Sequence, residues 1–354
     1  MEDTAVINCL PWRTRATCIY VYRGGRAPRD ITHAIIDKSV TEIDSQAFDF
    51  NRNLRSVETH DGLKRIKGHS TFRGCTSLTD IDIRSVETIE CWVFEGAGLR
   101  EVDCDNLLYV CKSAFQDCKS LRRISLPHVK IIMDWAFHET ALTEVNLPEV
   151  VVIKQFAFAD NKSLRRIAIP LNPHLFDLEP RDFDSDEDPE GAKDSAFDGC
   201  DCLVQVDLVG WIHETVSSLQ LERWRNEMNE EIAKINETLP SRAYGKTAAI
   251  RRWMESVASK IIHYQDEHNI VLKEAATILE LALWQVKLCD ETFGELVVER
   301  EDMRTTRGQR KRARLENRQM ARVTCGADII ITNVMPFLQL WHQERFIEDC
   351  VVVS

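Results

Sequence analysis

Any chemistry in this chain would have to come from its nucleophiles, imidazoles, carboxylates and loop glycines, and their spacing argues against it. Tyr244-Gly245-Lys246-Thr247 has the ending of a phosphate-cradling loop, but Pro240 stands where such a loop needs its first glycine. None of the 12 cysteines forms a C-x-x-C pair, and none of the 10 histidines forms H-E-x-x-H. His263 and His268 lie five apart and do not share a helix face, so neither zinc nor any other cofactor is expected. Asp182, Asp184, Asp186 and Asp188 place oxygen ligands at alternate positions, as a calcium loop would. The glycine and glutamate that an EF-hand requires further along do not fall in register there. No Ser, His and Asp constellation stands out from chance spacing. The expectation is a protein that is not an enzyme.

One charge cluster is conspicuous. Arg304, Arg307, Arg310, Lys311, Arg312, Arg314, Arg318 and Arg322 stand against the single Glu316, a local net charge of plus 7 in a chain whose formal total is minus 12. Three readings stay open: a solvated helix or linker, a nuclear-import or nucleic-acid contact that neutralises phosphates, or a bridge to an acidic surface. Aromatic residues that could stack on bases are not interleaved with these arginines.

The elements that would position any site follow from a repeat. Phe48, Phe72, Phe94, Phe115, Phe137, Phe158 and Phe197 recur at steps of 24, 22, 21, 22, 21 and 39. A period near 22 marks the turns of a solenoid, in which no unit buries its apolar face until its neighbours stack on it. Five or six residues after each Phe comes L-x-x-[IV]-x-apolar, the alternation of a short strand with one buried face. The instances are Leu54/Val57/Thr59, Leu78/Ile81/Ile83, Leu99/Val102/Cys104, Leu121/Ile124/Leu126, Leu142/Val145/Leu147, Leu164/Ile167/Ile169 and Leu203/Val206/Leu208. A second apolar pair precedes six of the Phe residues, from Val40/Ile43 to Val150/Ile153, and predicts the opposite wall of each coil. Three residues after Phe come Asn51, Cys75, Ala97, Cys118, Thr140, Asn161 and Cys200, small or amide side chains suited to a buried turn. Their cysteines read as structural.

The motif A-F-x-x-C-x-x-L-x-x-[IV]-x-[IL]-P, seen from Ala114 to Pro127 and closely in Ala136 to Pro148 and Ala157 to Pro170, resembles the BspA-type leucine-rich repeat family. The combination with the chain's C-terminal half resembles the diatom members of that group. The resemblance implies a curved β-solenoid used for protein recognition and carries over no catalytic residue.

With 44% apolar and 29% charged residues, 354 residues suit two folded domains. The start of the chain lacks a secretory pattern and no stretch of 18 apolar residues occurs, so an intracellular protein, cytoplasmic or nuclear, with reduced thiols and no membrane span is expected. The expected organisation is an N-terminal cap over 1–30, a solenoid over 31–209 with an acidic, solvated insertion at about 171–194, a helical domain over 210–300, the basic segment 301–322, and a docking segment 323–354. Ile212 to Leu239 reads as one amphipathic helix, and Lys246 to Cys289 as two with a break near Glu267 to Asn269, giving three antiparallel helices.

Within each strand the residues between the inward pair face outward on the concave sheet: Ser56/Glu58, Asp80/Asp82, Glu101/Asp103, Arg123/Ser125, Glu144/Asn146, Arg166/Ala168 and Gln205/Asp207. Five carboxylates therefore stack on the first three strands. Glu58, Asp80, Asp82, Glu101, Asp103, Arg123, Glu144 and Arg166 are the candidate partner-binding residues, with a basic protein segment as the expected ligand and nucleic acid on the arginine run as the alternative.

Overall fold

A computed structural model describes residues 18–176, 195–219, 221–242 and 244–298. The chain divides into two compact units, Met1–Leu272 and Lys273–Ser354. The insertion 177–194, with its calcium-loop aspartates, the basic segment and the segment 323–354 lie outside the described residues.

In the first unit the short strands fall into two ladders, and six coils contribute a strand to both. One ladder comprises β1 (Ile19–Tyr22), β2 (His33–Ile36), β4 (Ser56–Glu58), β6 (Asp80–Ile81), β8 (Glu101–Asp103), β10 (Arg123–Ser125), β12 (Glu144–Asn146), β14 (Arg166–Pro170) and β15 (Gln205–Val209), in three hydrogen-bonded groups. The other is a continuous six-stranded sheet of β3 (Glu42–Ile43), β5 (Arg65–Ile66), β7 (Thr88–Ile89), β9 (Tyr109–Val110), β11 (Ile131–Ile132) and β13 (Val152–Ile153). All pairings are parallel, and equivalent repeat positions align: Val57 with Ile81, Val102 with Ile124, Val145 with Ile167, Ile167 with Val206. This is a leucine-rich repeat solenoid.

Between the two walls the phenylalanines form a single file. Successive ring centroids from Phe48 to Phe158 are 5.0, 5.3, 5.3, 5.4 and 5.2 Å apart, and Phe158 meets Phe197 at 5.6 Å, nearly parallel throughout. The file therefore continues across the insertion, because Phe158 N–H donates to Ala196 O at 2.9 Å as if the two coils were consecutive. The same bond runs from Phe72 to Val93, Phe94 to Ala114, Phe115 to Ala136 and Phe137 to Ala157 at 2.8 to 2.9 Å, a third ladder along the turn.

The residues three after Phe complete that turn. Cys75, Cys118 and Cys200 donate their thiols to the carbonyls of Phe48, Phe94 and Phe158 at 3.1, 3.0 and 3.0 Å, and Asn161 Nδ2 donates to Phe137 O at 2.8 Å. Burial pushes the Cys75, Cys118 and Cys200 thiols up to about 12, so they remain neutral donors. The turn also demands left-handed backbone two residues before and two after each Phe, at Trp92, Ser113, Trp135 and Phe156 and at Asp117, Glu139 and Asp160. Gly199 occupies one such position, where an added Cβ would lie 3.0 Å from Asp160 Cα.

At the N-terminal end the chain enters the repeat earlier than its Leu pattern suggests. Ile31, Ala34 and Ile36 take the inward positions of a coil before Leu54, with Ala34 in register with Val57. β1 pairs with β2, and Tyr22 adds the first ring to the file, 5.2 Å from Phe48. Alanine and tyrosine in place of Val/Ile and Phe hid this coil. The insertion also starts later than Pro170: Leu171, Leu175 and Phe176 are buried, and Leu175 O accepts from Ile153 N–H at 2.8 Å. Thr59, the polar exception, donates its hydroxyl to Asp82 O on the next coil.

The helices depart from expectation in two places. Ile212 to Leu239 is three pieces, α1 (Ile212–Ser218), α2 (Glu222–Ala233) and α3 (Ile235–Thr238), with Leu219 and Leu221 extended where the apolar spacing stretches from three or four to five before Trp224. Lys246 to Val298 is one helix, α4, with no break at Glu267 to Asn269 because nothing there is a glycine or proline to stop it. α2 and α4 run antiparallel: Trp253 Nε1 donates to Glu231 O at 2.9 Å, Tyr264 Oη to Glu227, and Trp224 stacks on Tyr264 at 5.5 Å.

These helices cap the open solenoid end with side chains that imitate a further coil. Thr247 Oγ1 accepts from Phe197 N–H at 3.0 Å, Asn236 Oδ1 from Val206 N–H at 2.9 Å, and the buried Lys246 ammonium donates to Leu203 O at 2.7 Å. The tetrapeptide that imitates a phosphate loop is thus a cap. Replacing Phe115 by Ala should lower unfolding stability in urea by about 3–5 kcal/mol, as large core truncations do. Thr247→Val, which keeps the shape and leaves Phe197 N–H without its acceptor, should cost about 1–3 kcal/mol in the same measurement.

Candidate functional site

The eight candidate residues occupy the outward face of the first ladder, and all are solvent-exposed. Register places Arg123 beside Glu101, Ser125 beside Asp103, Glu144 beside Arg166 and Ser56 beside Asp80. Ala168 alternates outward as expected but is buried.

Charge on this face is less one-signed than the carboxylate count implies. Arg84 clamps Asp82 with Nη2–Oδ2 at 2.6 Å and Nε–Oδ1 at 3.0 Å, and these bonds hold the Asp82 carboxyl below its ordinary range. Arg123 reaches Asp103 at 3.7 Å and Glu101 at 4.0 Å, both long. Arg166 Nε lies 2.6 Å from Asp207 Oδ2, and that bond raises the guanidinium's affinity for its proton. Glu58, Asp80 and Glu144 make no ion pair within 4.0 Å among the described residues. Uncompensated negative charge is therefore concentrated on β4 and β6.

A basic row borders the face and was missed. Arg55, Arg100, Arg122 and Arg165 each directly follow the leucine that opens a strand repeat, and all are exposed. Their carbonyls hold the neighbouring coil, as Arg100 O does by accepting from Arg122 N–H at 2.8 Å, so the side chains project beside the ladder at every coil that carries one. The signal was periodic: the first x of L-x-x-[IV] is Arg in four of seven repeats.

Away from this face, His138, Glu139 and Asp160 bring ligating atoms within 4.8 Å of one another. Lys119 Nζ already lies 2.8 Å from Glu139, and His138 Nε2 lies 3.4 Å from Asp160. Cys75, Cys91, Cys104, Cys111, Cys118, Cys200 and Cys202 are thiols. Among the described residues no helix is long and apolar enough to cross a membrane.

Residues 28–110 and 103–179 match the model of the BspA type leucine rich repeat region, with six copies, and this part of the chain is a repeat region of that type. The chain is similar to three bacterial solved structures. A leucine rich cell surface protein of Faecalibacterium prausnitzii is 23% identical with TM-score 0.36, over 54% of this chain and 68% of that one. A leucine-rich repeat protein of Bacteroides ovatus is 19% identical with TM-score 0.32, over 59% and 76%. The leucine rich repeat protein of T. pallidum is 21% identical with TM-score 0.31, over 58% and 89%. Comparison with curated proteins gave no match.

Native-state alkylation at pH 8, read by peptide mass spectrometry, should modify the exposed Cys202 first. Cys75, Cys104, Cys118 and Cys200, buried and held as thiols, should react only after unfolding.

Proposed function

We propose that the protein is a non-catalytic scaffold that binds a partner protein on the outward, concave face of the first ladder. The supporting observation is a register-locked array of exposed charged side chains in which Glu58 and Asp80, on adjacent strands, make no ion pair within 4.0 Å among the described residues. The strands that present this array need no backbone ordering on binding, which favours an extended segment laid across them. The segment that fits Glu58 and Asp80 carries Lys or Arg. Asp82, Glu101, Asp103, Arg123, Glu144 and Arg166 flank it and set specificity through pairs that a partner must match or exchange.

An intracellular setting is part of this proposal, supported by thiols that serve as turn donors rather than crosslinks. The clustered arginines from Arg304 to Arg322 support a second, nucleic-acid-associated reading, for which retention on DNA or RNA would fall with salt.

Titration calorimetry of the full chain with a synthetic Lys/Arg-bearing extended peptide tests the first reading. Glu58→Lys with Asp80→Lys should weaken binding roughly tenfold or more, and added salt should weaken the wild type in the same direction. Equal affinity of the variant and the wild type would remove this face as the site.

A further inference from the structure

The outward face of the first ladder is polarised across its strands as well as along them. Where each strand starts, the position directly after the repeat leucine is Arg, Thr or Val in every coil and never a carboxylate. Arg55, Arg100, Arg122 and Arg165 stand there, exposed, and make no ion pair within 4.0 Å among the described residues. Arg52 and Lys162, two residues before their leucines, add to this rim, and Asp201 on the last coil is the one carboxylate among those positions. The opposite rim has the opposite sign. Four residues after the leucine the coils carry Glu58, Asp82, Asp103 and Asp207, and no Lys or Arg in any coil. Arg84 holds Asp82, Arg166 holds Asp207 and Arg123 reaches toward Asp103, so this rim is freest at Glu58. Three residues along a strand separate the two rims by roughly 10 Å, close to the screening length of about 8 Å at physiological salt, so a segment lying between them feels both.

We infer that the segment bound on this face carries acidic and basic residues in alternation. The inference rests on the reading that this face binds a partner protein, and it specifies the charge pattern of that partner. A wholly basic segment drawn to Glu58 and Asp80 would also lie against Arg55 and Arg100, and a wholly acidic one would lie against Glu58 and Asp82; like charges brought together in this way count against binding. In an extended chain laid flat across the strands, successive side chains point to opposite edges. Alternation therefore turns every carboxylate of the segment toward the arginine rim and every ammonium toward the acidic rim. A segment with the same charges gathered in two blocks cannot do this, because half of each block faces the rim of its own sign.

Titration calorimetry of the full chain with three synthetic octapeptides reads the pattern directly: alternating glutamate and lysine, a block isomer with four glutamates before four lysines, and all lysine. The first two share composition and net charge, so only the order of their charges tells them apart. The alternating peptide should bind roughly tenfold or more tighter than the block isomer. Arg100→Glu with Arg122→Glu should abolish that preference and bind the all-lysine peptide at least as tightly as the wild type does. Both side chains are exposed and the coil contact runs through their backbone, so this variant should keep the wild-type melting temperature. Equal affinity of the wild type for the two isomers overturns the inference, as does an undiminished preference in the folded arginine variant. All-lysine binding that is lost in Glu58→Lys with Asp80→Lys, without any preference for alternation, overturns the inference and leaves the earlier reading of the face standing. Failure of all three peptides to bind overturns both.

Discussion

The carbonyls of Phe48, Phe94, Phe137 and Phe158 lie in a buried turn, and a side chain of the next coil donates to each. A thiol does so at Cys75, Cys118 and Cys200, and an amide does so at Asn161. An unsatisfied buried carbonyl costs on the order of 1–3 kcal/mol, comparable to what a coil can gain net from its apolar contacts. This requirement couples ring stacking to turn geometry: the donor sits three residues after the ring and fixes where the following leucine enters the strand. Coil length varies little where this turn is kept, with Phe-to-Phe steps of 24, 22, 21, 22 and 21, and the step of 39 carries the insertion.

A stack held by bonds from coil to coil has two ends where those bonds stop. At the N-terminal end Tyr22 replaces phenylalanine, and its hydroxyl accepts from Asp44 N–H at 3.1 Å, so a polar edge closes the ring file. Burial raises the Tyr22 phenol to about 12, and it stays protonated. At the other end the helices provide Thr247, Asn236 and Lys246. The burial of a lysine whose ammonium donates to a carbonyl fits a capping role: desolvation lowers its proton affinity, and the bond to Leu203 O opposes the loss of charge.

The walls of the solenoid are equivalent inside and differ outside. Inward positions are restricted to Val, Ile, Leu and a few small residues by packing density, whereas outward positions carry whatever the solvent or a partner tolerates. The first ladder carries carboxylates and guanidinium groups that are partly matched; the second carries matched charges over three coils and a mixture of apolar side chains and lysines over three more.

The sequence alone determined the solenoid, its period, both inward columns, the ring file and the structural role of the turn cysteines, because each is a local pattern repeated until chance is excluded. It missed the first coil, where Ala34 and Tyr22 break the pattern, and it divided the helices wrongly, since apolar spacing cannot report that Leu219 and Leu221 extend or that Glu267 to Asn269 stays helical. Surface chemistry was beyond it. Five stacked carboxylates read as an acidic face, yet whether Arg84 and Arg123 fold back on them depends on side-chain reach across and beside the strands. Likewise, Tyr109, Ile131 and Val152 lie on three different coils, and only parallel register sets them side by side.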